Sequence, residues 1–260
     1  MKPVALTIAG SDPSGGAGLQ ADLKTFHQFG VYGMSVVTLL TVQNTCEVQS
    51  VDPLDPAYVE RQLRAVVSDI PPQAAKTGAL GSAEVVEVVG YWARSRPCPL
   101  VVDPVMISKH GAALLDSAAR EALRRFLLPH CDLATPNLTE AAALTGMPVE
   151  SRPDMVRAAQ HIAELGPRAV LVKGGHLEDG DESVDLLWTD GEESFFASQR
   201  YQTRHTHGTG CVFSAAIAAG LAWNRPLLEA ISQAKRYISE AIATAPGLGH
   251  GAGPVNHHAE

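Results

Sequence analysis

A segment of four residues has a composition typical of an anion-binding turn: Gly208, Thr209, Gly210 and Cys211. They precede an apolar run, residues 212–221, so the turn is expected to lead into a buried helix. Free amides at a helix start favour negative charge, as on a transferring phosphoryl group. A thiol at that position has a lowered pKa, which makes Cys211 a candidate base for a substrate hydroxyl. The alternative is a glycine-rich turn with a small buried thiol.

Side-chain oxygens that suit magnesium occur at two further places. Asn137 follows Pro136, and Glu140 lies three residues later. Hydrated Mg²⁺ accepts amide and carboxylate ligands, so both are candidate metal and nucleotide contacts. The same spacing is that of a helix capping box, and the two interpretations are compatible. Asp103, at the end of a predicted strand, is a third candidate metal ligand, with a turn residue as the alternative.

Lysine and glycine residues supply other candidate contacts. Lys173 ends an apolar run, and the two glycines after it leave room for a nucleotide phosphate; an exposed lysine is the alternative. Residues 15–18 lack both the ending of a P-loop and the order of the dinucleotide fingerprint. They suit close approach to a small substrate, with Asp22 as a polar contact one turn later. A flexible turn and a solvent-facing or capping aspartate remain the alternatives there. His205 and His207 lie beside the turn at residues 208–211 and could orient it.

Apolar runs typical of buried strands alternate with helical patterns along the chain. Strands are predicted at residues 4–9, 35–42, 74–77, 100–102, 133–135 and 169–172, with a hairpin of residues 186–189 and 194–197. Helices are predicted from residue 19 to Gly30, and at residues 56–66, 82–92, 118–128, 138–145, 154–165, 211–223 and 227–244. This alternation predicts βαβ units and a mostly parallel sheet covered on both faces. Because no interdomain linker is evident, we expect one domain over residues 1–260.

A polar or glycine-containing motif follows each of the six predicted strands before the hairpin. The motifs are residues 10–12, 43–44, 76–78, 103–104, 136–137 and 173–175. In a parallel sheet these carboxyl ends lie along one edge, where open α/β folds bind their ligands. The sequence therefore predicts a single site at that edge.

Composition excludes several other classes of protein. The net charge of −8 disfavours a nucleic-acid binder, which would carry a basic patch. The N-terminus turns polar too early for a secretory signal, and no apolar run could span a bilayer, so a cytoplasmic location is expected. The four cysteines show no zinc-site spacing, and no hydrolase nucleophile elbow occurs.

In this order the motifs closely resemble the hydroxymethylpyrimidine/phosphomethylpyrimidine kinases of thiamine biosynthesis, within the ribokinase-like superfamily. The matching segments are AGSDPSGGAGLQADLKTF, TVQNT, KTG, VDPVM, TPNLTEAAALTG, VKGGH, HTHGTGC and HGAGPVNH. They run from about residue 7 to residue 257. The resemblance implies a three-layer α/β/α sandwich, commonly a homodimer. It also implies two successive transfers from ATP with Mg²⁺, first to a hydroxymethyl group and then to the resulting phosphate.

The resemblance also implies roles for individual residues. Gln43 would hydrogen-bond the pyrimidine, and the same pocket would be lined by Gly10, Asp22 and Val105. Mg-ATP would be served by Asn137, Glu140 and Lys173. The turn at residues 208–211 would form the anion hole, with Cys211 in the position of the base.

One departure from the family pattern keeps a second substrate open. Ala79 stands where a methionine is expected, and a smaller side chain could widen the ring pocket. A pyridoxal or pyridoxine kinase is therefore the nearest alternative, and a non-catalytic pyrimidine sensor is an alternative from another class. The hairpin near residue 190 and the loop at residues 107–113 are candidate lids.

Overall fold

A computed structural model describes residues 2–107, 111, 114–175, 177 and 180–259. Within these residues nine strands form one sheet. They are β1 (Val4–Ser11), β2 (Tyr32–Gln43), β3 (Val48–Pro53), β4 (Ala74–Thr77), β5 (Leu100–Val102), β6 (Leu133–Ala134), β7 (Ala169–Val172), β8 (Glu182–Thr189) and β9 (Glu192–Gln199). The predicted strands are present, and β1 and β2 extend further, so that Gly10 and Gln43 lie inside them.

The sheet is mostly parallel, as predicted. Its strand order is β3-β2-β1-β4-β5-β6-β7-β8-β9. Strands β2, β1, β4, β5, β6 and β7 pair in parallel, whereas β3, β8 and β9 are antiparallel to their neighbours. The antiparallel edge strand β3 was not predicted. Its sequence, VQSVDP, is polar and partly exposed, so it lacks the apolar pattern of a buried strand.

The helices begin close to the positions that their caps predict. They are α1 (Gly18–Gln28), α2 (Pro56–Asp69), α3 (Ala83–Ala93), α4 (Ser117–Ala122), α5 (Leu138–Thr145), α6 (Arg152–Ala163), α7 (Thr209–Ala222) and α8 (Leu227–Ala243). Asp55 and Ser82 cap α2 and α3 through their side chains. The helix predicted at residues 118–128 is interrupted: α4 passes into a π turn, Leu123–Leu127, and a 3₁₀ turn, Leu128–His130. Pro129, which has no N–H to donate, lies in that last turn.

Helices cover both faces of the sheet and make three layers. One apolar core joins the sheet to α2, α3, α4, α5 and α6, and a second joins it to α1, α7 and α8. Side chains alternate between these cores, with Leu100 and Val102 in the first and Val101 in the second. The observed fold is therefore the predicted α/β/α sandwich. None of the helices in the described ranges is both long enough and apolar enough to cross a membrane.

Candidate active site

The carboxyl ends of the parallel strands border a cavity of about 670 Å³. All of the predicted site residues except Asp22 line it. They are Gly10, Gln43, Asp103, Val105, Asn137, Glu140, Lys173, Gly208, Thr209, Gly210 and Cys211. The predicted lid hairpin, β8 and β9, contributes no residue to this lining, and most of the other candidate lid, residues 107–113, lies outside the described residues.

The turn before α7 begins the helix in the way that its glycines predict. Gly208 is the N-cap residue and has a left-handed φ of 82°. A Cβ atom there would lie 1.8 Å from the carbonyl oxygen of Gly16, so the two glycine-rich segments are in contact. Thr209, Gly210 and Cys211 form the first helical turn, where backbone N–H groups lack intrahelical acceptors. The Gly210 and Cys211 amides lie at the cavity, where they can bind an anion, whereas the Thr209 N–H donates to the Thr206 carbonyl oxygen at 3.3 Å.

Lys173 is held beside this turn by Asp103. Its ammonium donates to Asp103 Oδ1 at 2.7 Å, and Ser214 Oγ donates to Asp103 Oδ2 at 3.1 Å. Burial opposes the charged form of Asp103, but the ammonium groups of Lys173 and Lys76 hold the pKa of Asp103 below its ordinary value. Because its carboxylate is fixed by these contacts, Asp103 positions Lys173 beside the turn.

Asn137 and Glu140 form the capping box that their spacing predicts. Asn137 Oδ1 accepts from the Glu140 N–H at 2.9 Å, and Glu140 Oε2 accepts from the Asn137 N–H at 2.8 Å. Glu140 is buried beside Asp103, and burial raises the pKa of Glu140 to about 7, although the positive charge of Lys173 acts against the shift. In the described part of the chain, no group of three or more His, Cys, Asp or Glu side chains could hold a metal ion.

Asp22, a predicted polar contact of the substrate, does not line the cavity. Asp22 is completely buried, and its Oδ1 accepts from Lys76 Nζ at 2.6 Å while its Oδ2 accepts from Thr7 Oγ1 at 2.6 Å. Burial opposes the charged form of Lys76, but the Asp22 carboxylate raises the pKa of Lys76 above its ordinary value. The pair lies behind the cavity wall, since a Cβ on Gly78 would be 3.5 Å from Lys76 Nζ.

The predicted lowering of the Cys211 pKa is wrong for this structure. Burial raises the pKa of the Cys211 thiol to about 11. Lys76 acts to lower the pKa, but the carboxylates of Asp22 and Asp103 act to raise it. The thiol is therefore protonated at neutral pH, and its position at a helix start is outweighed by its surroundings.

Asp12 and His207 were not among the predicted site residues, although His207 was expected to orient the glycine turn. Asp12 accepts from three amides of its own loop, Ser14, Gly16 and Ala17. His207 Nε2 lies 2.8 Å from Asp12 Oδ2, which links that loop to the turn before α7. The amide contacts and His207 hold the pKa of Asp12 well below its ordinary value in spite of burial. The link joins residues that lie 195 positions apart, so sequence spacing carries no signal for it.

The three-layer fold, with a glycine turn and polar strand ends around one cavity, defines a small-molecule kinase of the ribokinase-like class. Comparison with known proteins identifies the family. The profile described as phosphomethylpyrimidine kinase matches residues 12–256, so the chain belongs to the hydroxymethylpyrimidine/phosphomethylpyrimidine kinase family.

Individual relatives agree with this assignment. The hydroxymethylpyrimidine/phosphomethylpyrimidine kinase of Staphylococcus aureus strain MRSA252 is 46% identical over 100% of this chain and 95% of its own length. The Streptomyces coelicolor protein with the same description is 49% identical over 98% of this chain and 94% of its own. The solved pyridoxal kinase of Staphylococcus aureus, in complex with AMP-PCP and pyridoxal, superposes with a TM-score of 0.92 at 37% identity, covering 100% of this chain and 94% of that one.

Proposed function

We propose that this chain uses ATP to phosphorylate 4-amino-5-hydroxymethyl-2-methylpyrimidine to its monophosphate and then to its diphosphate, in thiamine biosynthesis. The supporting observation is a shared cavity. Residues proposed for the acceptor, such as Gln43, and residues proposed for the nucleotide, such as Asn137, border the same space as the turn at 208–211. A site that only bound a pyrimidine would need neither Lys173 nor this turn. The described relatives carry the same pair of activities in their names.

In this proposal the chain acts mainly by positioning and electrostatics, as is general for phosphoryl transfer. Lys173, fixed by Asp103, neutralises phosphate oxygens. The amides of the turn receive the charge that develops on the transferring group. In the first transfer the thiolate form of Cys211, a minor species at neutral pH, takes the proton of the hydroxymethyl group. The second acceptor is already an anionic phosphate, so that transfer needs little help from a base.

Magnesium fits the donors at this cavity in a limited way. Asn137 and Glu140 offer oxygen ligands, but Asn137 Oδ1 and Glu140 Oε2 each already accept one hydrogen bond in the capping box. Mg²⁺ commonly binds through one or two protein oxygens, retained waters and substrate phosphates, which is compatible with this set. A bound Mg²⁺ would neutralise the ATP polyphosphate. We infer that Asn137 and Glu140 would hold it through their remaining lone pairs, with Asp103 positioning Lys173.

The decisive experiment is an ADP-release assay with three acceptors: the pyrimidine alcohol, its monophosphate and pyridoxal. We expect Mg²⁺-dependent turnover of the first two. Lys173→Met serves as the control for contaminating kinases, because it removes the ammonium that faces the phosphates and should abolish turnover. Tight pyrimidine binding without ADP release would support the sensor alternative instead.

Pyridoxal phosphorylation is a second candidate activity, and one observation favours it. Ala79 lines the cavity, so a small side chain stands beside the proposed ring pocket. The superposed Staphylococcus aureus structure is described as a pyridoxal kinase with pyridoxal bound. We expect Ala79→Met to reduce turnover of pyridoxal relative to the pyrimidine by about 10-fold, since even a methylene in a pocket changes selectivity by that order.

The matched control is Ala143→Met, which adds the same side chain to the cavity lining in α5, one helical turn after Glu140. It should raise KM for ATP equally with either acceptor. An unchanged ratio of pyridoxal to pyrimidine turnover in Ala79→Met would show that residue 79 does not set ring selectivity.

The proposal also includes a homodimer and a cytoplasmic location. Leu40 and Val42, on one face of β2 beside the edge strand, are 49% and 52% exposed, which is compatible with a covered surface in a dimer. Sedimentation analysis would show whether the 27.5 kDa chain forms particles of twice its mass.

A further inference from the structure

The C-terminal motif HGAGPVNH contributes no side chain to the proposed chemistry, yet the segment that contains it contacts two loops of the cavity. We call residues 248–259 the C-terminal strap; it follows α8 after a short exposed stretch. Its N-terminal half contacts the tip of the β2–β3 hairpin, residues 44–47, and its middle contacts His207. The strap therefore connects the acceptor side of the cavity with the loop before α7.

The contact with the hairpin tip is close and centres on Thr45. The Ala252 N–H donates to the Thr45 carbonyl oxygen at 2.8 Å, and the Gly251 N–H donates to Thr45 Oγ1 at 3.2 Å. A Cβ atom on Gly249 would lie 2.3 Å from Thr45 Oγ1, and one on Gly251 would lie 1.9 Å from the Thr45 carbonyl oxygen. Only glycine fits the strap against the tip at these distances.

The tip itself is a compact unit that carries the proposed acceptor contact. Asn44 Oδ1 accepts from the amides of Cys46 and Glu47, at 2.8 and 3.1 Å, which closes the turn between β2 and β3. Gln43 lies two residues before Thr45 and faces the cavity. Since β3 is an edge strand, no further strand from the described residues lies beside the tip. A displacement of Thr45 would therefore carry Gln43 with it.

The other end of the strap is fixed to the loop before α7 and to the helices. His207 N–H donates to the Gly253 carbonyl oxygen at 3.0 Å, and residues His207 and Pro254 form a parallel bridge. Beyond this bridge, the Asn256 N–H donates to the Ala241 carbonyl oxygen at 2.8 Å, and Val255 is buried in the apolar core of α7 and α8. The strap thus has a firm anchor from which to hold the hairpin tip.

We propose that the C-terminal strap is a positioning element that sets the affinity for the acceptor. By packing glycine backbone against Thr45, it holds Gln43 at the distance from the turn at 208–211 that the acceptor ring requires. This inference rests on the proposed function, because the acceptor pocket around Gln43 is part of that proposal.

The test compares two glycines that require the same strained backbone but differ in their contacts. Gly249 has φ +79° and meets Thr45, whereas Gly247, before the strap, has φ +70° and meets nothing within 4 Å. Alanine at either position bears the same left-handed strain. We expect Gly249→Ala to raise KM for the pyrimidine about 10-fold, since small misplacements of positioning groups have effects of this order or larger. KM for ATP should stay within about 2-fold, and Gly247→Ala should change neither constant.

A second variant, Thr45→Val, keeps the shape of the side chain and removes the acceptor of the Gly251 N–H, together with a weak contact of 3.9 Å to Cys46 Sγ. It should raise KM for the pyrimidine about 3-fold, a loss in the range of one hydrogen bond. Partial unfolding would lower the apparent kcat without separating the two KM values, so the split is specific to positioning. Equal KM values for the pyrimidine in both glycine variants, or a parallel rise for ATP, would overturn the inference. Failure of the unmodified chain to phosphorylate the pyrimidine would refute the proposed function itself.

Discussion

At Cys211, two physical effects with opposite signs act on one thiol. A position in the first turn of a helix favours the thiolate, and this effect is readable from the sequence. Burial and the carboxylates of Asp22 and Asp103 favour the thiol. These effects are the larger ones, so the pKa of Cys211 is raised to about 11. Asp22 and Asp103 lie far from Cys211 in the chain, so the sequence shows where the residue lies but not its charge.

The raised pKa makes a distinct pH dependence testable. Below pH 11 the thiolate fraction increases about tenfold per pH unit, so the first transfer should accelerate between pH 7 and 9 if Cys211 acts as the base. Cys211→Ala should slow that transfer by about 10²–10⁴-fold, the usual contribution of a general base, and flatten its pH profile. The second transfer should change far less. Separate single-turnover assays with the alcohol and the monophosphate would measure this.

Cys98→Ala is the matched control for this prediction. Burial also raises the pKa of the Cys98 thiol to about 11. This residue precedes β5, so it lies at the amino ends of the strands, away from the cavity at their carboxyl ends. Both transfers should keep their rates in this variant. Equal losses in the two transfers of Cys211→Ala would remove Cys211 from the role of base.

Among the helices, the beginnings of α5 and α7 matter most for the site. The capping box of α5 follows from the spacing of Asn137 and Glu140, which is a local property and could be predicted. The beginning of α7 depends on Gly208, whose left-handed φ and contact with Gly16 combine a local and a distant requirement. Sequence composition indicated the turn, but the contact with the other glycine loop became evident only from the fold.

Gly208→Ala should therefore cost much more activity than stability explains. Alanine in the left-handed region lowers the free energy of unfolding by about 1–2 kcal/mol. Here its Cβ would also force the turn away from the Gly16 carbonyl oxygen. We expect kcat to fall by at least about 100-fold, as when a donor to developing charge is lost. Thermal unfolding and steady-state kinetics measured together would separate the two effects.

Gly146, which ends α5, provides the comparison for that variant. Its φ is +75°, and a Cβ atom there meets nothing within 4 Å. Gly146→Ala should lose only the stability due to left-handed strain, about 1–2 kcal/mol, while keeping kcat within about 2-fold. Similar kinetic losses in both variants would mean that backbone strain alone, and not the geometry of the turn, limits the reaction.

The limits of sequence-based prediction are clearest in the strands. Strands β4, β5 and β7 were predicted with their observed bounds because they are short segments buried on both faces, and β5 and β7 are wholly apolar. Strand β3 was missed because an exposed edge strand needs no apolar residues. All of the six motifs predicted at strand ends reach the cavity, because parallel strands bring their carboxyl ends to one edge.

On the scale of the whole molecule, the sheet brings charges together that no local pattern relates. Asp22 and Lys76 are 54 residues apart, and they meet because β1 and β4 are neighbours and α1 packs over β1. Local spacing instead left Asp22 as a substrate contact or as a solvent-facing or capping aspartate, and the family resemblance favoured the first. Since one sheet and one cavity draw on segments from residue 10 to residue 211, we infer that residues 1–260 work as a single domain.

The buried pair leads to a prediction about global stability. Asp22→Asn should destabilise the fold by about 3–5 kcal/mol, because it leaves the Lys76 ammonium buried without a counter-charge. Lys76→Met should cost a similar amount. The double variant should be less destabilised than the sum of the two, since it removes both charges together. Free energies of unfolding from urea titrations of the four proteins complete the cycle.

An exposed ion pair provides the reference for this cycle. Arg157 pairs with Asp154 across one turn of α6, and its side chain is 56% exposed. Arg157→Met should lower the free energy of unfolding only slightly, because solvent already screens the ion pair. If Asp22→Asn were as stable as the unmodified chain but bound the pyrimidine more weakly, Asp22 would be a ligand contact after all. The Asp22–Lys76 pair would then have to open when the acceptor binds, and Lys76 would lose its counter-charge at the moment when phosphate arrives nearby.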